Sequence, residues 1–251
     1  MRWTGPFESA ALLTVLPVPA RAGTSTRGVL PWAPLVGLGL GGIATGAAVL
    51  GDRWISPLAG AVLGIAVLAL LTRGLHLDGL ADTADGLGPL RERERALQVM
   101  HQGDVGPFGV VTLVLTLLLQ VACLAALLPI AGGWLALWTA VVTARLAMAR
   151  TGLAGVPFAE GSSLGRTVAR TVSGPWLAAC LLAGAGLLLL ATAGDLVRTG
   201  QLAGSAVAGL LAAEVLFRRA RRRLGGVTGD VMGAMGESAM TVVLLIAAVV
   251  L

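Results

Sequence analysis

The stretch LHLDGLADTADGLG, Leu75 to Gly88, follows one of the most apolar runs of the chain. It contains Asp78, Asp82 and Asp85, three of only 13 acidic residues in a chain of 251. An ionised carboxylate is costly beside hydrocarbon, so acids gathered at the end of an apolar run indicate a function. The contrast predicts that an apolar helix ends near residue 75 and that a polar site begins there.

The composition of the whole chain is that of a membrane protein. Hydrophobic residues make up 56% of the chain, charged residues make up 12%, and the mean hydropathy is +0.88. Soluble domains contain about twice that share of charged residues. We therefore predict an all-α, polytopic membrane bundle, because helices satisfy their own backbone groups within lipid. Residues 1–251 are expected to form a single integral membrane catalytic domain.

The net charge of +5 comes from arginine alone, because the sequence contains no lysine. In a membrane protein such charge sets topology and attracts anionic lipid. No basic stripe interleaved with aromatic residues is present, so membrane lipid is an expected partner and nucleic acid is not.

Seven apolar runs bounded by charged residues, Gly or Pro are candidates for transmembrane helices. They cover roughly residues 32–50, 56–74, 107–128, 132–149, 175–193, 201–216 and 238–251. The last run is short, so we expect it to borrow residues from the glycine-rich stretch before it. Residues 6–20 are apolar but short and contain two prolines, which favours an interfacial or re-entrant segment over an eighth span.

Arginines are distributed unevenly between the two sides of this bundle. One side receives Arg21, Arg27, Arg73, Arg91, Arg93, Arg95, Arg150, Arg166, Arg170 and the cluster RRARRR at 218–223. The opposite loops contain only Arg53 and Arg198. Because positive residues favour the cytoplasmic side, the loops 75–106, 150–174 and 217–237 are predicted to face the cytoplasm.

The three aspartates share one face if residues 75–86 are helical, because they stand at i, i+4 and i+7. Three like charges on one face repel one another. A hard divalent cation removes that repulsion, since Mg²⁺ prefers carboxylate oxygens. The spacing, beside His76, favours a metal site formed by Asp78, Asp82 and Asp85. Asp and Gly also form turns and caps, so a solvated helix end is the alternative.

A second polar patch, GGVTGDVMGAMGES, covers residues 225–238. Asp230 and Glu237 are seven residues apart and share a helical face, and Thr228 lies two residues before the first acid. Its glycines also suit close helix packing of the G-x-x-x-G kind, which is the alternative interpretation. We expect the patch to converge with the motif at 76–85 across one cytoplasm-facing cavity, and to pack closely through its glycines.

Between the two patches, RERERALQVMHQGDVGPFG at residues 91–109 predicts a short charged helix and then a Gly/Pro break. Asp104 is a candidate substrate contact, and an N-terminal cap of the next helix explains it almost equally well. His101 lies nearby, but a lone histidine is a weak signal.

These segments resemble the signature segments of the cobalamin synthase family, also called adenosylcobinamide-GDP ribazoletransferase. The resemblance rests on LHLDGLADTADGLG, on ALQVMHQGDVGPFGV and on GGVTGDVMGAMGE. LLTVLPVP at residues 12–19 resembles the family's N-terminal segment, so the match spans nearly the whole chain. One departure is that many members have Lys/Arg-Asp-Ser after the methionine equivalent to Met100, where this chain has His101, Gln102 and Gly103.

The resemblance implies a Mg²⁺-dependent enzyme of the bacterial inner membrane, with its active site facing the cytoplasm. Such an enzyme transfers the adenosylcobinamide phosphate group of adenosylcobinamide-GDP to the 5′-hydroxyl side of α-ribazole, or of α-ribazole 5′-phosphate, and releases GMP. This is the last step of nucleotide loop assembly in cobalamin biosynthesis. The expected metal ligands are Asp78, Asp82 and Asp85. The expected catalytic residues are Asp85, Asp230 and His76. The expected substrate contacts are Arg73, Thr228, Asp230, Glu237 and Asp104.

Two other functions also use acids at a membrane boundary. A cation-coupled transporter of the inverted-repeat kind would show corresponding broken helices in two halves, but the chain has no convincing internal repeat. A lipid enzyme like the CDP-alcohol phosphotransferases would carry the pattern Asp-x-x-Asp-Gly-x-x-Ala-Arg, which is not reproduced here. The expected partners are therefore the two small-molecule substrates and membrane lipid. The sequence does not decide between a monomer and a homo-oligomer.

Overall fold

The computed structural model describes residues 4–19, 25–88 and 91–251, which fold into a bundle of α-helices. Within these ranges no residue belongs to a β-strand, and one isolated parallel bridge joins Phe158 to Val227. The helices are α1 (Gly5–Leu13), α2 (Val29–Trp54), α3 (Pro57–Leu71), α4 (Leu75–Leu87), α5 (Arg93–Met100), α6 (Pro107–Leu127), α7 (Leu135–Ala149), α8 (Ser163–Val168), α9 (Gly174–Ala191), α10 (Leu196–Leu224) and α11 (Gly229–Val250). The all-α prediction is confirmed.

Five helices in the described part of the chain are each long and apolar enough to cross a membrane. They are α2, α6, α9, α10 and α11. Helices α3 and α4 pass the same test only as a pair, and they meet at an angle of 89°, as in a broken span or a re-entrant loop. All seven predicted apolar runs contain a described helix, but the count of seven spans is not confirmed, because five described helices, or six with the bent pair, are long and apolar enough to cross a membrane.

Helix α7 accounts for part of the difference, because it is a central helix of the bundle. Its 15 residues rise only about 22 Å at 1.5 Å per residue, less than the ~30 Å of a bilayer core. Thirteen of the 15 are buried. Small residues on α2 admit its side chains: a Cβ placed on Gly41 would lie 2.8 Å from Trp138 Cδ1. Helix α7 is therefore surrounded mainly by other helices.

The bend between α3 and α4 is produced by two successive residues in the left-handed region. Arg73 has φ of 56° and Gly74 has φ of 65°, a conformation that is strained for a residue with a Cβ. Thr72 precedes them, and its hydroxyl donates to the carbonyl of Leu68 at 2.9 Å. The chain then re-enters a helix at Leu75, which confirms the helical prediction for 75–86. The turn directs α4 across one end of the bundle.

Helices α10 and α11 are joined by a short break at the same end of the bundle. Helix α10 ends at Gly225, whose φ of 80° is the usual left-handed C-cap. Helix α11 begins after Thr228, whose hydroxyl accepts a hydrogen bond from Val231 N at 3.2 Å. As expected, the last span borrows the glycine-rich patch and so reaches 22 residues.

We call the end of the bundle that carries α1, α4, α5, α8 and the α10–α11 break the site end. Its segments are linked to each other: Val15 N donates to Leu71 O at 2.8 Å, and Arg223 donates to the carbonyl of Arg91 at 3.0 Å. Helix α1 overlaps the predicted interfacial or re-entrant segment 6–20. It has nine residues and is too short to span a bilayer. Arg21 lies outside the described residues.

Candidate functional site

The acidic motif lies on α4, and its first two aspartates are one helical turn apart. Asp78 is exposed and Asp82 is partly buried, and the i, i+4 spacing puts both on one face of the helix. Neither side chain makes a hydrogen bond or ion pair with another described residue. The ion pairs shown between described residues involve Glu214 of α10 instead. The two carboxylates are therefore available to a ligand.

The first turn of α11 packs directly against α4 and brings a third carboxylate to this pair. A Cβ placed on Gly79 would lie 2.7 Å from the carbonyl oxygen of Asp230, so only glycine permits this approach. One turn further along α11, a Cβ on Gly233 would lie 3.1 Å from the Cα of His76. The predicted convergence of the two patches is confirmed for Asp230, and so is close packing through the glycine at 233.

The three carboxylates Asp78, Asp82 and Asp230 act on one another electrostatically, and we call them the open carboxylates. Asp82 is repelled by Asp78, by Asp230 and, more weakly, by the buried Asp85, and Asp230 is also repelled by Asp78. The side chain of His101, at the C-terminal end of α5, is close enough to both Asp82 and Asp230 to attract them when its ring is protonated. His101 thus reaches the site, although its sequence context gave only a weak signal.

Asp85 lies on the same helix but is used differently. Its side chain is 5% exposed, and its carboxylate accepts hydrogen bonds from Gly106 N at 2.7 Å and from Gly109 N at 3.0 Å. It therefore caps the N-terminus of α6, where free N–H groups and the helix dipole favour a negative charge. A Cβ on Gly106 or Gly109 would collide with this carboxylate. Asp104, for which a cap was the alternative to a substrate contact, is exposed and does not perform this capping role.

This capping role of Asp85 differs from the expectation that Asp78, Asp82 and Asp85 form one metal cluster, and that cluster stays a prediction. Among the described residues no three His, Cys, Asp or Glu side chains are gathered closely enough to hold a metal by themselves. Mg²⁺, however, usually takes one or two protein carboxylates and completes its shell with water and substrate phosphate. Asp78 and Asp82, with Asp230 beside them, have the donor chemistry for such a shared site. Each oxygen of Asp85 accepts one hydrogen bond from a backbone N–H group, so the contacts of Asp85 show a structural role, and its metal and catalytic roles stay predictions.

A cavity of about 640 Å³ opens beside the open carboxylates at the site end. Its polar wall includes His76, Thr228 and Asp230, and His101 lies among the other lining residues. Thr228 donates its hydroxyl hydrogen to Asp230 Oδ2 at 3.2 Å. His76 is only 2% exposed, and its Nε2 has no hydrogen-bond partner. The cavity is therefore lined by a carboxylate, by a hydroxyl and by a histidine whose buried Nε2 has no hydrogen-bond partner.

The remaining predicted contacts lie outside this cavity. Arg73 is exposed at the α3–α4 bend and donates to the carbonyl of Leu12 at 2.9 Å. Glu237 is two helical turns beyond Asp230, 7% exposed, and accepts a hydrogen bond from Gln120 at 3.0 Å. Asp104 is exposed and, with Arg73 and Glu237, does not line the cavity. The structure thus joins Thr228 and Asp230 to the acidic motif but does not bring Glu237 or Asp104 to it.

One charged residue that was missed from the sequence lies close behind the site. Arg145, in the middle of α7, is 2% exposed, and its Nε and Nη2 have no hydrogen-bond partner. Its charge acts on Glu237 and on His76. The signal that could have identified it is the arginine inside the apolar run LALWTAVVTARLAMA, because an ionisable residue within such a run is a functional candidate by default.

The fold and the site together define a multi-pass helical membrane protein with an acidic site beside a ligand-sized cavity at one end. The chain belongs to the cobalamin-5-phosphate synthase family, whose model matches residues 7–248. It is thus a transferase of cobalamin biosynthesis.

Curated relatives match over nearly the full length of both chains. The adenosylcobinamide-GDP ribazoletransferase of Frankia casuarinae is 38% identical over 262 aligned residues, covering 94% of this chain and 91% of the relative. The enzyme of the same name from Nocardioides sp. is 40% identical, covering 93% of each chain. That from Chlorobaculum parvum is 36% identical, covering 98% of this chain and 95% of the relative. No solved structure matches the chain.

Proposed function

We propose that this chain is a Mg²⁺-dependent adenosylcobinamide-GDP ribazoletransferase. It would join the adenosylcobinamide phosphate group to α-ribazole or α-ribazole 5′-phosphate and release GMP, the last step of nucleotide loop assembly. The observation that carries the proposal is the meeting of Asp78, Asp82 and Asp230 beside the cavity that His76 and Thr228 line. The names of the relatives supply the reaction.

The divalent cation would be held by Asp78 and Asp82, with Asp230 close enough to share it. These carboxylates repel one another, and no described arginine forms an ion pair with them. A bound Mg²⁺ would offset that repulsion and neutralise charge on the diphosphate of the substrate. Arg73, exposed at the bend beside α4, remains a candidate for a phosphate contact.

The acceptor hydroxyl follows from the chemistry of the product. The family is named for a cobalamin that carries a 5-phosphate. An acceptor that already carries a 5′-phosphate has no free 5′-hydroxyl, so a different ribose hydroxyl has to attack. This revises the expectation of attack from the 5′-hydroxyl side.

The reaction is a phosphoryl-group transfer in which one P–O bond forms and another breaks. The ribose oxygen bonds to the phosphorus that bears the cobinamide, and the bond from that phosphorus to the bridging oxygen breaks. GMP leaves with the bridging oxygen, and the hydroxyl proton passes to a base. Asp230 suits that role because it lines the cavity and lies next to Asp78 and Asp82. Thr228, through its hydrogen bond of 3.2 Å, orients the carboxylate.

We further propose that the site end faces the cytoplasm of the bacterial inner membrane. The described arginines of the loops and short helices cluster at this end, whereas Arg53 and Arg198 lie at the opposite end of the spans. Adenosylcobinamide-GDP contains a guanosine diphosphate, and such nucleotides are cytoplasmic metabolites, so this orientation also gives the substrate access.

The test is a GMP-release assay on the purified full-length protein in lipid nanodiscs. Adenosylcobinamide-GDP, α-ribazole and Mg²⁺ together should yield one GMP for each cobalamin formed, and EDTA should stop both. GMP release that ignores EDTA would contradict the metal proposal. No GMP with any combination of substrates, alongside release of CMP from a CDP-alcohol or movement of a cation across liposomes, would replace the function with one of its two rivals.

A further inference from the structure

The residues that line the cavity at the site end indicate which part of the two substrates binds there. Apart from Asp230 and the two histidines, the described residues that line it are uncharged, and no described arginine is among them. Most of the wall is apolar, including Leu30, Met148, Val168 and Met232. A diphosphate would find no described arginine on this wall, whereas a flat, uncharged heterocycle finds an apolar surface. The composition of the lining therefore favours binding of an uncharged nucleoside over binding of a nucleoside diphosphate.

The size of the cavity supports the same selection. Its volume of about 640 Å³ lies in the ~300–1,000 Å³ range of sites that enclose a small molecule. A corrin ring with its side chains and attached GDP is far larger than such a molecule and cannot be enclosed there. The acceptor α-ribazole, a benzimidazole joined to one ribose, is small enough to be enclosed there.

The polar groups of the cavity are concentrated where the open carboxylates lie. His76 comes from α4, and Thr228 and Asp230 come from the start of α11, so the α4–α11 contact builds this wall. The unpartnered Nε2 of His76, on a side chain 2% exposed, needs a hydrogen-bond partner. Asp230 faces the cavity and also acts on Asp78 and Asp82. A ribose at this wall would have one hydroxyl beside the carboxylates that the diphosphate needs.

We propose that this cavity is the binding site of the acceptor nucleoside. The benzimidazole lies among Leu30, Met148 and Val168, and the ribose hydrogen-bonds to His76 and Asp230. The bulky corrinoid stays outside, and only its diphosphate reaches the open carboxylates. The inference rests on the proposed function, because it uses the reaction to name the occupant.

Binding of α-ribazole to the full-length protein in nanodiscs tests this assignment by equilibrium dialysis. Thr167 lines the cavity from α8 and is exposed, so Thr167→Trp narrows the cavity without entering the core. Ala154→Trp is the matched control, because Ala154 is exposed in the same connecting segment and does not line the cavity. We expect Thr167→Trp to raise the Kd of α-ribazole by about tenfold or more, and Ala154→Trp to leave it within about twofold.

A second variant tests the hydrogen bond instead of the space. His76→Phe keeps an aromatic ring but removes Nε2, and we expect it to weaken α-ribazole binding by about tenfold. His76→Gln retains a polar group and should recover part of the affinity. Melting temperatures of all variants, followed by tryptophan fluorescence, show whether each one is folded. A His76→Phe protein that is folded and binds α-ribazole as the wild type does would overturn the ribose contact.

Kinetics separates a failure of this inference from a failure of the proposed function. In the Thr167→Trp protein the KM for α-ribazole should rise while the KM for adenosylcobinamide-GDP stays unchanged. If the wild type releases GMP but Thr167→Trp raises only the KM for adenosylcobinamide-GDP, or neither KM, the cavity does not hold the nucleoside and the function stands. If the wild type releases no GMP under any condition, the proposed function itself has failed.

Discussion

Two groups of carboxylates in this molecule differ in whether the chain supplies their hydrogen-bond donors. The buried group consists of Glu8, Asp85 and Glu237, which are 4%, 5% and 7% exposed. The open group consists of Asp78, Asp82 and Asp230, which are exposed or partly buried. Every buried member accepts a hydrogen bond from a donor far away in the chain. Asp78 and Asp82 accept none from the described residues, and Asp230 accepts one from Thr228, two residues before it.

The donors of the buried group come from neighbouring helices and loops. Glu8 on α1 accepts a hydrogen bond from Gly28 N at 2.7 Å and so ties α1 to the start of α2. Asp85 ties α4 to the start of α6, and Glu237 ties α11 to Gln120 in the middle of α6. Carboxylates balanced by such donors hold helices together. Carboxylates that converge and repel one another require a partner from outside the chain, and this difference separates structural acids from site acids.

The largest effect is expected from an open carboxylate. Asp82→Asn keeps the size of the side chain but removes a charge that Asp78 and Asp230 surround. We expect turnover to fall by about 10³-fold or more, because metal-assisted charge stabilisation contributes several kcal/mol. GMP release over a Mg²⁺ titration measures this, and the melting temperature should stay at or above that of the wild type. Near-wild-type turnover at saturating Mg²⁺ would remove Asp82 from the site.

The next effect is expected from the buried charge behind the site. Arg145→Met leaves Glu237 without the one described cation that attracts it. Arg145 and Glu237 are not in ion-pair contact, so we expect the free energy of unfolding to fall by about 3 kcal/mol, the lower end of the loss found when one partner of a buried pair is removed. Thermal melting in detergent measures the loss.

The double variant Arg145→Met/Glu237→Gln is the control for that interpretation. It removes both charges and should recover part of the stability, since no uncompensated charge remains. If the double variant loses as much as the sum of the two single variants, the two side chains are not coupled and Arg145 has a different partner.

A smaller effect is expected from the cap of α6. Asp85→Asn places an NH₂ group against one of the two backbone N–H donors of Gly106 and Gly109. Leaving one of these buried donors unsatisfied should cost about 1–3 kcal/mol of stability. Turnover per folded molecule should stay within about tenfold of the wild type, because a cap acts through helix position only. A fully stable variant without activity would return Asp85 to the catalytic residues.

The sequence predicted the helices and the meeting of the two motifs better than it predicted the roles of individual acids. Apolar runs ended by charge identify helices wherever lipid surrounds them, and glycines at 79 and 233 allow α4 and α11 to touch. Asp78, Asp82 and Asp85 have the same helical spacing, but spacing does not show which neighbouring helix begins opposite each side chain. The start of α6 at Pro107 decided the role of Asp85, and that is a tertiary fact.

Helix count and cavity were beyond the sequence for related reasons. Helix α7 has the composition of a span, yet its position among α2, α10 and α11 follows from packing alone. The cavity is lined by residues of α1, α2, α4, α7, α8 and α11. Of these lining residues, His76, Thr228 and Asp230 were predicted from the sequence to belong to the site. Arg145 was detectable as a charge within an apolar run, but its neighbours Glu237 and His76 were not.

The smallest effect is expected from a carboxylate that has no partner and no neighbouring acid. Asp52, in the last turn of α2, makes no hydrogen bond or ion pair with another described residue, and it lies at the end of the bundle opposite the site. A negative charge near a helix C-terminus is mildly unfavourable, so Asp52→Ala should change stability by no more than about 0.5 kcal/mol and leave turnover unchanged. Thermal melting and GMP release test both statements. Suppose that Asp52→Ala lost as much activity as Asp82→Asn. The lack of a hydrogen-bond or ion-pair partner would then be enough by itself to identify an acid of the site. Convergence of several such acids would then no longer be the criterion, and the position of the site at the α4–α11 end would have to be given up.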